Sequence, residues 1–537
     1  MRHTPELGLA ATTRGVPRAP APEAVPGFHL DAGYAPVAVP RKARRAAIRS
    51  REVGRLFSFD TTPEAATYLI RGEVEDDNAL DRLSDAVRSD PNGVGVFSDP
   101  RISSFAVCPS GPVGSHADVA NRLSVATLHN RGMNGSGVLT AIVDTGVNVA
   151  HLNARGMNPG FDAGRSWSPV PGSVLGAMPV DHGTMCAFDV CISAPECTLL
   201  DYALLQSRAQ GGSVMDGFLS DAVSGFSRLL ELMTGPDAPP ALVVNNSWGM
   251  FHPSWDFEVG HPGNYSDNPE HPFNIIVESL EDAGADILFA AGNCGAECPD
   301  GRCQGATSEG IYGANSSASV LCVAGVTVED VRLGYSTQGP GRLLGDKPDI
   351  CAYTHFSGSG VYPNDVDGGT SAACPVAAGV ISAIRSRYPA SEVAPATLRN
   401  LIRRSANDLG MQGFDYDHGF GVIDVERLLN LLDRREEQPI AVGQTVSGHL
   451  AEAGATLTYR LRLSDALTIA LDGPQGVDFD LYVRKGEAPT TDLYDQRGFT
   501  GSADEKIRVQ PAGPGDYYVM VRAYRGSGAF TLKASLE

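Results

Sequence analysis

The sequence predicts an α/β chain: a three-layer domain around a parallel sheet, followed by an antiparallel β-sandwich. Three observations carry this prediction. Continuous apolar runs at 138–143 (Val-Leu-Thr-Ala-Ile-Val) and 286–291 (Asp-Ile-Leu-Phe-Ala-Ala) read as strands covered on both faces, the pattern of a parallel sheet. The stretch 376–384, rich in small apolar residues, reads as a buried helix, and beyond about residue 440 the apolar period changes to two. With 537 residues the chain is too long for one core, and its breaks divide it into 1–52, 53–104, 105–435 and 440–537.

Residues 1–52 combine Pro, Ala and Arg with few aliphatics, as in 14–22, and are expected to be flexible. The basic run Arg41 to Arg45, with Arg49, Arg51 and Arg55, reads as a solvated or protease-sensitive linker. A nucleic-acid or membrane contact fits poorly with 63 acidic residues against 42 Lys and Arg, a formal charge of −21. Over 53–104 the pattern is strand (66–74), amphipathic helix (78–89) and strand (93–100).

Chemistry concentrates in four short segments: 141–146 (Ala-Ile-Val-Asp-Thr-Gly), 181–184 (Asp-His-Gly-Thr), 290–293 (Ala-Ala-Gly-Asn) and 369–375 (Gly-Thr-Ser-Ala-Ala-Cys-Pro). Asp144 ends its strand at the carboxyl edge, where open α/β sheets place ligands. His182 opens a helical stretch and so presents an imidazole that can take a proton. Ser371 precedes the small-residue helix, with Pro375 expected in the first turn, where its missing N–H costs nothing. Free N–H groups and the macrodipole there favour a developing negative charge. Asn293 follows a strand and offers an amide donor to the same charge. Singly, Asp-Thr-Gly is a turn and His-Gly-Thr a helix cap; together the four supply nucleophile, base, orienting acid and oxyanion donors.

In this order and with these neighbours the segments resemble the subtilisin family of serine endopeptidases, over roughly residues 115–432. The resemblance implies a subtilisin-like three-layer domain with Asp144 as orienting acid, His182 as general base and acid, Ser371 as nucleophile and Asn293 as oxyanion donor. The segment 244–249 resembles the family strand that pairs with substrate backbone, which makes Ser247, Trp248 and Gly249 substrate-binding residues, and 419–424 resembles the segment that closes the domain. The piece 53–104 is similar to the later part of a subtilase pro-domain, removed by self-cleavage, or is a retained accessory layer. The segments 478–483 and 515–524 resemble the bacterial prepeptidase C-terminal domain, a substrate- or matrix-binding module or else a folding and solubility appendage. Tyr518, Tyr524 and Asp480 are its candidate ligand contacts.

The expected activity is therefore peptide-bond hydrolysis on a polypeptide substrate, with no cofactor for the chemistry and no nucleic-acid partner, by a monomer. Two other readings use the same residues: a protease dedicated to one partner or to itself, and a catalytically silent scaffold for binding. Structural calcium is implied by the family; the loop 251–272, with Asp256, Asn264, Asp267 and Asn268, is where acidic and amide oxygens gather, although no EF-hand ladder exists. Cys186, Cys197, Cys322, Cys351 and Cys374 lie in apolar stretches and read as core thiols. Cys294, Cys298 and Cys303 share a Gly/Pro-rich loop beginning one residue after Asn293, where a disulfide clamping that residue, free thiols or a zinc site are the alternatives. Residues 1–10 lack an apolar stretch of signal-peptide length and no segment approaches membrane-spanning length. That predicts a cytoplasmic or leaderlessly exported chain, whereas the family resemblance leans towards secretion.

Overall fold

Seven strands form the frame: β1 (Leu139–Asp144), β2 (Gly160–Phe161), β3 (Thr198–Ala203), β4 (Leu242–Asn246), β5 (Ala285–Ala290), β6 (Leu321–Val326) and β7 (Ile350–Tyr353). The computed structural model describes residues 2–3, 25–31, 33–39, 66–90, 93–104, 111–206, 215–433, 438–450, 453–454, 456–486, 489, 491, 494–511 and 513–536. The readings made for 14–22, for the Arg41 to Arg45 run and for Arg49, Arg51 and Arg55 fall outside these residues.

The strands pair in parallel in the order β7-β6-β5-β4-β1-β3-β2. Every residue of β1, β4, β5, β6 and β7 is buried, which is why these segments read as unbroken apolar runs. On one face Leu139, Ala141 and Val143 join Val223 and Phe226 of α2 (Leu219–Thr234) and Phe273 and Ile276 of α3 (Pro272–Asp282) in a single core. On the other face Thr140 meets α4 (Thr370–Arg385), its Oγ1 2.9 Å from Ser382 Oγ. This is the predicted three-layer α/β arrangement.

Helix α4 starts earlier than its sequence suggested. Pro375 is its sixth residue instead of lying in the first turn, so it removes the N–H that would bond Ser371 O four residues back. That carbonyl accepts instead from Ser247 Oγ at 3.0 Å and Cys186 Sγ at 3.5 Å.

The early region departs most from expectation. Residues 25–39, expected without fold, contain strands Phe28–Leu30 and Val37–Val39, anchored where Tyr34 donates its hydroxyl proton to Ser220 O at 2.7 Å. The expected strand 66–74 is two strands, Ala66–Leu69 and Gly72–Val74, with different partners. Between them Arg71 pairs with Asp31 at 2.8 Å and Asp221 at 3.4 Å. A helix at Asp77–Ser89 matches the amphipathic pattern, but 93–100 has no regular structure. Its polar groups are committed elsewhere: Ser98 N donates to Gly263 O at 2.8 Å, and Asp99 accepts from Ser220 N at 2.8 Å and Ser220 Oγ at 2.7 Å. Pro100 adds no N–H for a ladder. The strand comes only afterwards, at Arg101–Ser104.

The chain divides into two compact units, Met1–Leu428 and Leu429–Glu537. The second is a sandwich of a five-stranded and a four-stranded sheet around a core that includes Leu461, Phe479, Leu481, Val519, Phe530 and Leu532. Its pairing is antiparallel except at one edge, where Gln438–Ile440 runs parallel to Thr456–Leu463. Tyr524 is exposed, but Asp480, read as a ligand contact, is buried and accepts from Tyr482 Oη at 3.1 Å.

His271 fixes the 93–100 segment to α3. Its Nε2 donates to Ser98 O at 3.0 Å and its Nδ1 accepts from Phe273 N at 3.3 Å, so the ring is the neutral Nε2–H tautomer. Burial pushes its pKa down from 6.5 to about 4, against smaller opposing effects of Ser98 and Asp256. The unfolded state therefore binds the extra proton first, and this contribution to stability is complete above pH 6.5 and lost as pH falls through 4. Urea unfolding of wild type and His271→Gln at pH 7 and pH 4 should show wild type losing about 3 kcal/mol more than the variant.

Candidate active site

Four elements end at one edge of the sheet and bring the predicted residues together. β1 delivers Asp144; α1 (His182–Cys191) delivers His182 as its first residue; the turn after β5 delivers Asn293; and α4 delivers Ser371 as its second residue. Asp144 Oδ1 accepts from His182 Nδ1 at 2.8 Å and from Thr145 N at 2.7 Å. A carboxylate in that position fixes Nδ1 as the protonated nitrogen and leaves Nε2 as the basic one.

Asn293 is oriented without ambiguity. Its Oδ1 accepts from Thr370 N at 3.0 Å and Thr370 Oγ1 at 3.1 Å, while Thr370 Oγ1 itself accepts from Gly292 N at 3.0 Å. A backbone N–H can only donate, so the amide oxygen must face Thr370 and the NH₂ the other branch. One contact is open: Ser371 Oγ donates to Ser247 O at 3.4 Å, and His182 Nε2 has no hydrogen-bond partner among the described residues. Hydrogen bonds of this kind commonly tighten only when substrate is bound.

A rival nucleophile stands near. Cys186 Sγ is 3.8 Å from Asp144 Oδ2 and 3.9 Å from His182 Nδ1, and Cys374 follows Ser371 by three residues. Burial, and then the negative charge of Asp144, pushes the Cys186 thiol well up, and burial does the same to Cys374. Both stay neutral thiols, the unreactive form.

The expected substrate strand is occupied by the chain itself. Trp248–Gly249 and Asp216–Phe218 flank Arg101–Ser104 as a three-stranded antiparallel sheet, with Ser104 opposite Trp248, Ser103 opposite Gly249 and Asp216, and Ile102 opposite Gly217. Ile102 is fully buried. Asp144, Asn293 and Ser371 are 0% exposed and His182 2%, so the edge is closed to solvent in this conformation. Ser247 acts here through its hydroxyl and carbonyl on Ser371, while Trp248 contributes backbone only. The Trp248 indole points inward, 5.2 Å from Phe289 and 5.8 Å from Phe273 between ring centroids. The sequence reading missed Arg101–Ser104 as the occupant.

In the loop read as a calcium site the acidic and amide oxygens are engaged in hydrogen bonds within the chain. Asp256 accepts from Ser98 Oγ, Phe257 N, Tyr265 N, Ser266 N and Ser266 Oγ, and the Asn264 and Asn268 oxygens accept from Asp267 N and Glu270 N. Asp267 Oδ2 accepts from Gly260 N at 2.8 Å, and Asp267 Oδ1 has no hydrogen-bond partner among the described residues. The cysteine loop is bridged: Cys294 pairs with Cys303, and Cys298 is also disulfide-bonded. Cys186, Cys191, Cys197, Cys322, Cys351 and Cys374 are free and buried, as the core-thiol reading of five of them expected. Among the described residues no helix is long and apolar enough to cross a membrane.

Comparison with known proteins gives a consistent result. The model of the subtilase family matches residues 135–421, and that of the bacterial pre-peptidase C-terminal domain matches 461–523. The halolysin-like extracellular serine protease Nep of Natrialba magadii is 30% identical over 30% of this chain and 34% of its own length. An extracellular protease of Xanthomonas campestris is 28% identical over 60% of this chain and 53% of its own. Alkaline serine exoprotease A of Vibrio alginolyticus is 24% identical over 81% and 75%. The chain thus spans about a third and about a half of the first two relatives.

Trp248→Ala tests the inward placement of the indole. Urea unfolding should show a loss of about 3–5 kcal/mol, the cost of a large buried aromatic, whereas an unchanged stability would put the ring in the groove.

Proposed function

The chain belongs to the subtilase family, and from that premise we propose that it is a serine endopeptidase acting through Asp144, His182, Ser371 and Asn293. The observation that carries the proposal is the buried 2.8 Å contact between Asp144 and His182 beside a serine at the start of α4. In the proposed reaction Ser371 Oγ turns from Ser247 O to His182 Nε2, gives up its proton there and attacks the peptide carbonyl. His182 becomes an imidazolium stabilised by Asp144, then protonates the leaving amine. Asn293 Nδ2 and the Ser371 N–H hold the oxyanion, helped by the amino end of α4. An acyl-enzyme remains, and water attacks it with His182 again as base. The chemistry calls for no cofactor.

A self-processing role is favoured over a partner-dedicated one by a specific observation: Arg101–Ser104 lies between the two strands that substrate backbone would join. We read 53–104 as a pro-segment whose last strand closes the groove until it is removed. Disulfides at Cys294–Cys303 and Cys298 suit an oxidising compartment, and the relatives named above include extracellular proteases, so we propose that the enzyme works outside the cytoplasm. The sandwich unit is proposed to hold the enzyme to its substrate or surroundings. Structural calcium is proposed on the family resemblance: its removal by chelator should lower the melting temperature, and an unchanged value would dispose of it.

Fluorophosphonate labelling tests the central assignment. Wild type should take the label and lose an N-terminal fragment, and Ser371→Ala should do neither while remaining folded. A folded wild type that takes no label is either a latent enzyme still closed by Arg101–Ser104 or the silent scaffold. On the activated enzyme, Asn293→Ala should lower kcat by about 10²–10³-fold, or about 3–4 kcal/mol of transition-state stabilisation, measured on a peptide nitroanilide.

A further inference from the structure

Asn293 is the first residue of a loop that folds back and closes on itself. Cys294 and Cys303, nine apart in sequence, are bridged. Within the ring Asp300 N donates to Asn293 O at 2.8 Å. The Asp300 carboxylate in turn accepts from Arg302 N at 2.9 Å and pairs with the Arg302 guanidinium at 2.9 Å. That guanidinium lies 3.8 Å over the Phe251 ring. On the outer flank Cys294 N donates to Thr337 Oγ1 at 2.8 Å and Thr337 N donates to Gly292 O at 2.9 Å.

Asn293 is therefore held from three sides. Thr337 fixes the residues before and after it, Thr370 fixes its side-chain oxygen, and the bridged ring fixes its own carbonyl. The first two are pairs of hydrogen bonds that neighbouring backbone could shift together. Only the ring is covalently closed. Its sequence, with Gly295, Pro299 and Gly301, has little local tendency to hold one conformation, and closure removes most of the alternatives an open loop would sample.

We propose that the Cys294–Cys303 bridge is a positioning element for the Asn293 amide, so that the rate of oxyanion formation depends on the bridge being closed. The inference rests on the oxyanion role given to Asn293 above. A preorganised donor stabilises charge only where its N–H already points at the developing oxyanion, and an error near 1 Å is enough to cost about 10²-fold in rate. A partial loosening of the ring should fall below that ceiling. The six free cysteines lie buried in the core, so among the described residues the oxidised sulfurs belong to this loop.

A double-mutant cycle separates positioning from general support. Enzyme activated from the full-length chain is compared with the Cys294→Ser/Cys303→Ser variant, with Asn293→Ala, and with all three substitutions together, on a peptide nitroanilide. Opening the bridge should lower kcat about tenfold with KM changed by less than about twofold, and should add less than about twofold once Asn293 is already alanine. A bridge variant with wild-type kcat overturns the inference. So does an equal loss in both backgrounds, because the bridge would then be supporting something other than the amide. Where the bridge variant does not fold, Cys294→Ala/Cys303→Val, which opens the bridge but fills the space with apolar groups, goes through the same cycle with the same criteria. A wild type inert to substrate and fluorophosphonate alike overturns this inference together with the reading it rests on, whereas additive losses in an active enzyme overturn the bridge alone.

Discussion

The hydrogen bond between Asp144 and His182 constrains everything else in the catalytic unit. Both side chains are buried, and a carboxylate without water is costly unless donors surround it. The donors are the Thr145 N–H and the His182 ring, so β1 and α1 must meet with little freedom of register. Parallel pairing meets that requirement, since it places the ends of β1, β4 and β5 along one edge. The turn after β5 then presents Asn293, and the segment after β4 presents Ser247 to the carbonyl of Ser371. Pro375 completes the arrangement from the far side, because a residue with an N–H there would compete with Ser247 for that carbonyl.

On the proposed reading, a site built this tightly is also kept from acting too early. Arg101–Ser104 fills the groove, and the segment before it is fastened by polar contacts to the starts of two helices: Asp99 to the beginning of α2 and Ser98 to His271 at the beginning of α3. Arg71 adds ion pairs with Asp31 and Asp221. These polar contacts are directional and partly titratable, and they add to apolar ones: Val39 and Ile102 lie in the same core as Val223 and Phe226 of α2 and Phe273 of α3. None of these early strands belongs to the seven-stranded sheet itself, in keeping with the proposed pro-segment.

What the sequence made legible was local. Asp144, His182, Asn293 and Ser371 were readable because each sits at a strand end or helix start that its own neighbours define. The alternation of Leu457, Tyr459, Leu461 and Leu463 defined the sandwich in the same way. What escaped depends on distant partners. Gly93 to Pro100 alternates like a strand, yet its groups bond to Gly263 and Ser220, more than a hundred residues away. Asp256 looked like a cation ligand and is an acceptor for its own loop and for Ser98. Asp480 read as a contact for a ligand, but packing buried the carboxylate. The pairing of Cys294 with Cys303 was one of several combinations open to three neighbouring cysteines.

The most direct test is the rate at which fluorophosphonate phosphonylates Ser371 in Asp144→Asn, measured near pH 7 on chain processed by added wild type and compared with wild type. Asparagine keeps the shape of the site but can present an N–H to the imidazole, which then adopts the wrong tautomer and loses its stabilising charge. A fall of about 10⁴-fold in a normally folded protein is the expected result. A rate within a few fold of wild type would mean that the Asp144–His182 contact only holds the fold together and that another group activates Ser371.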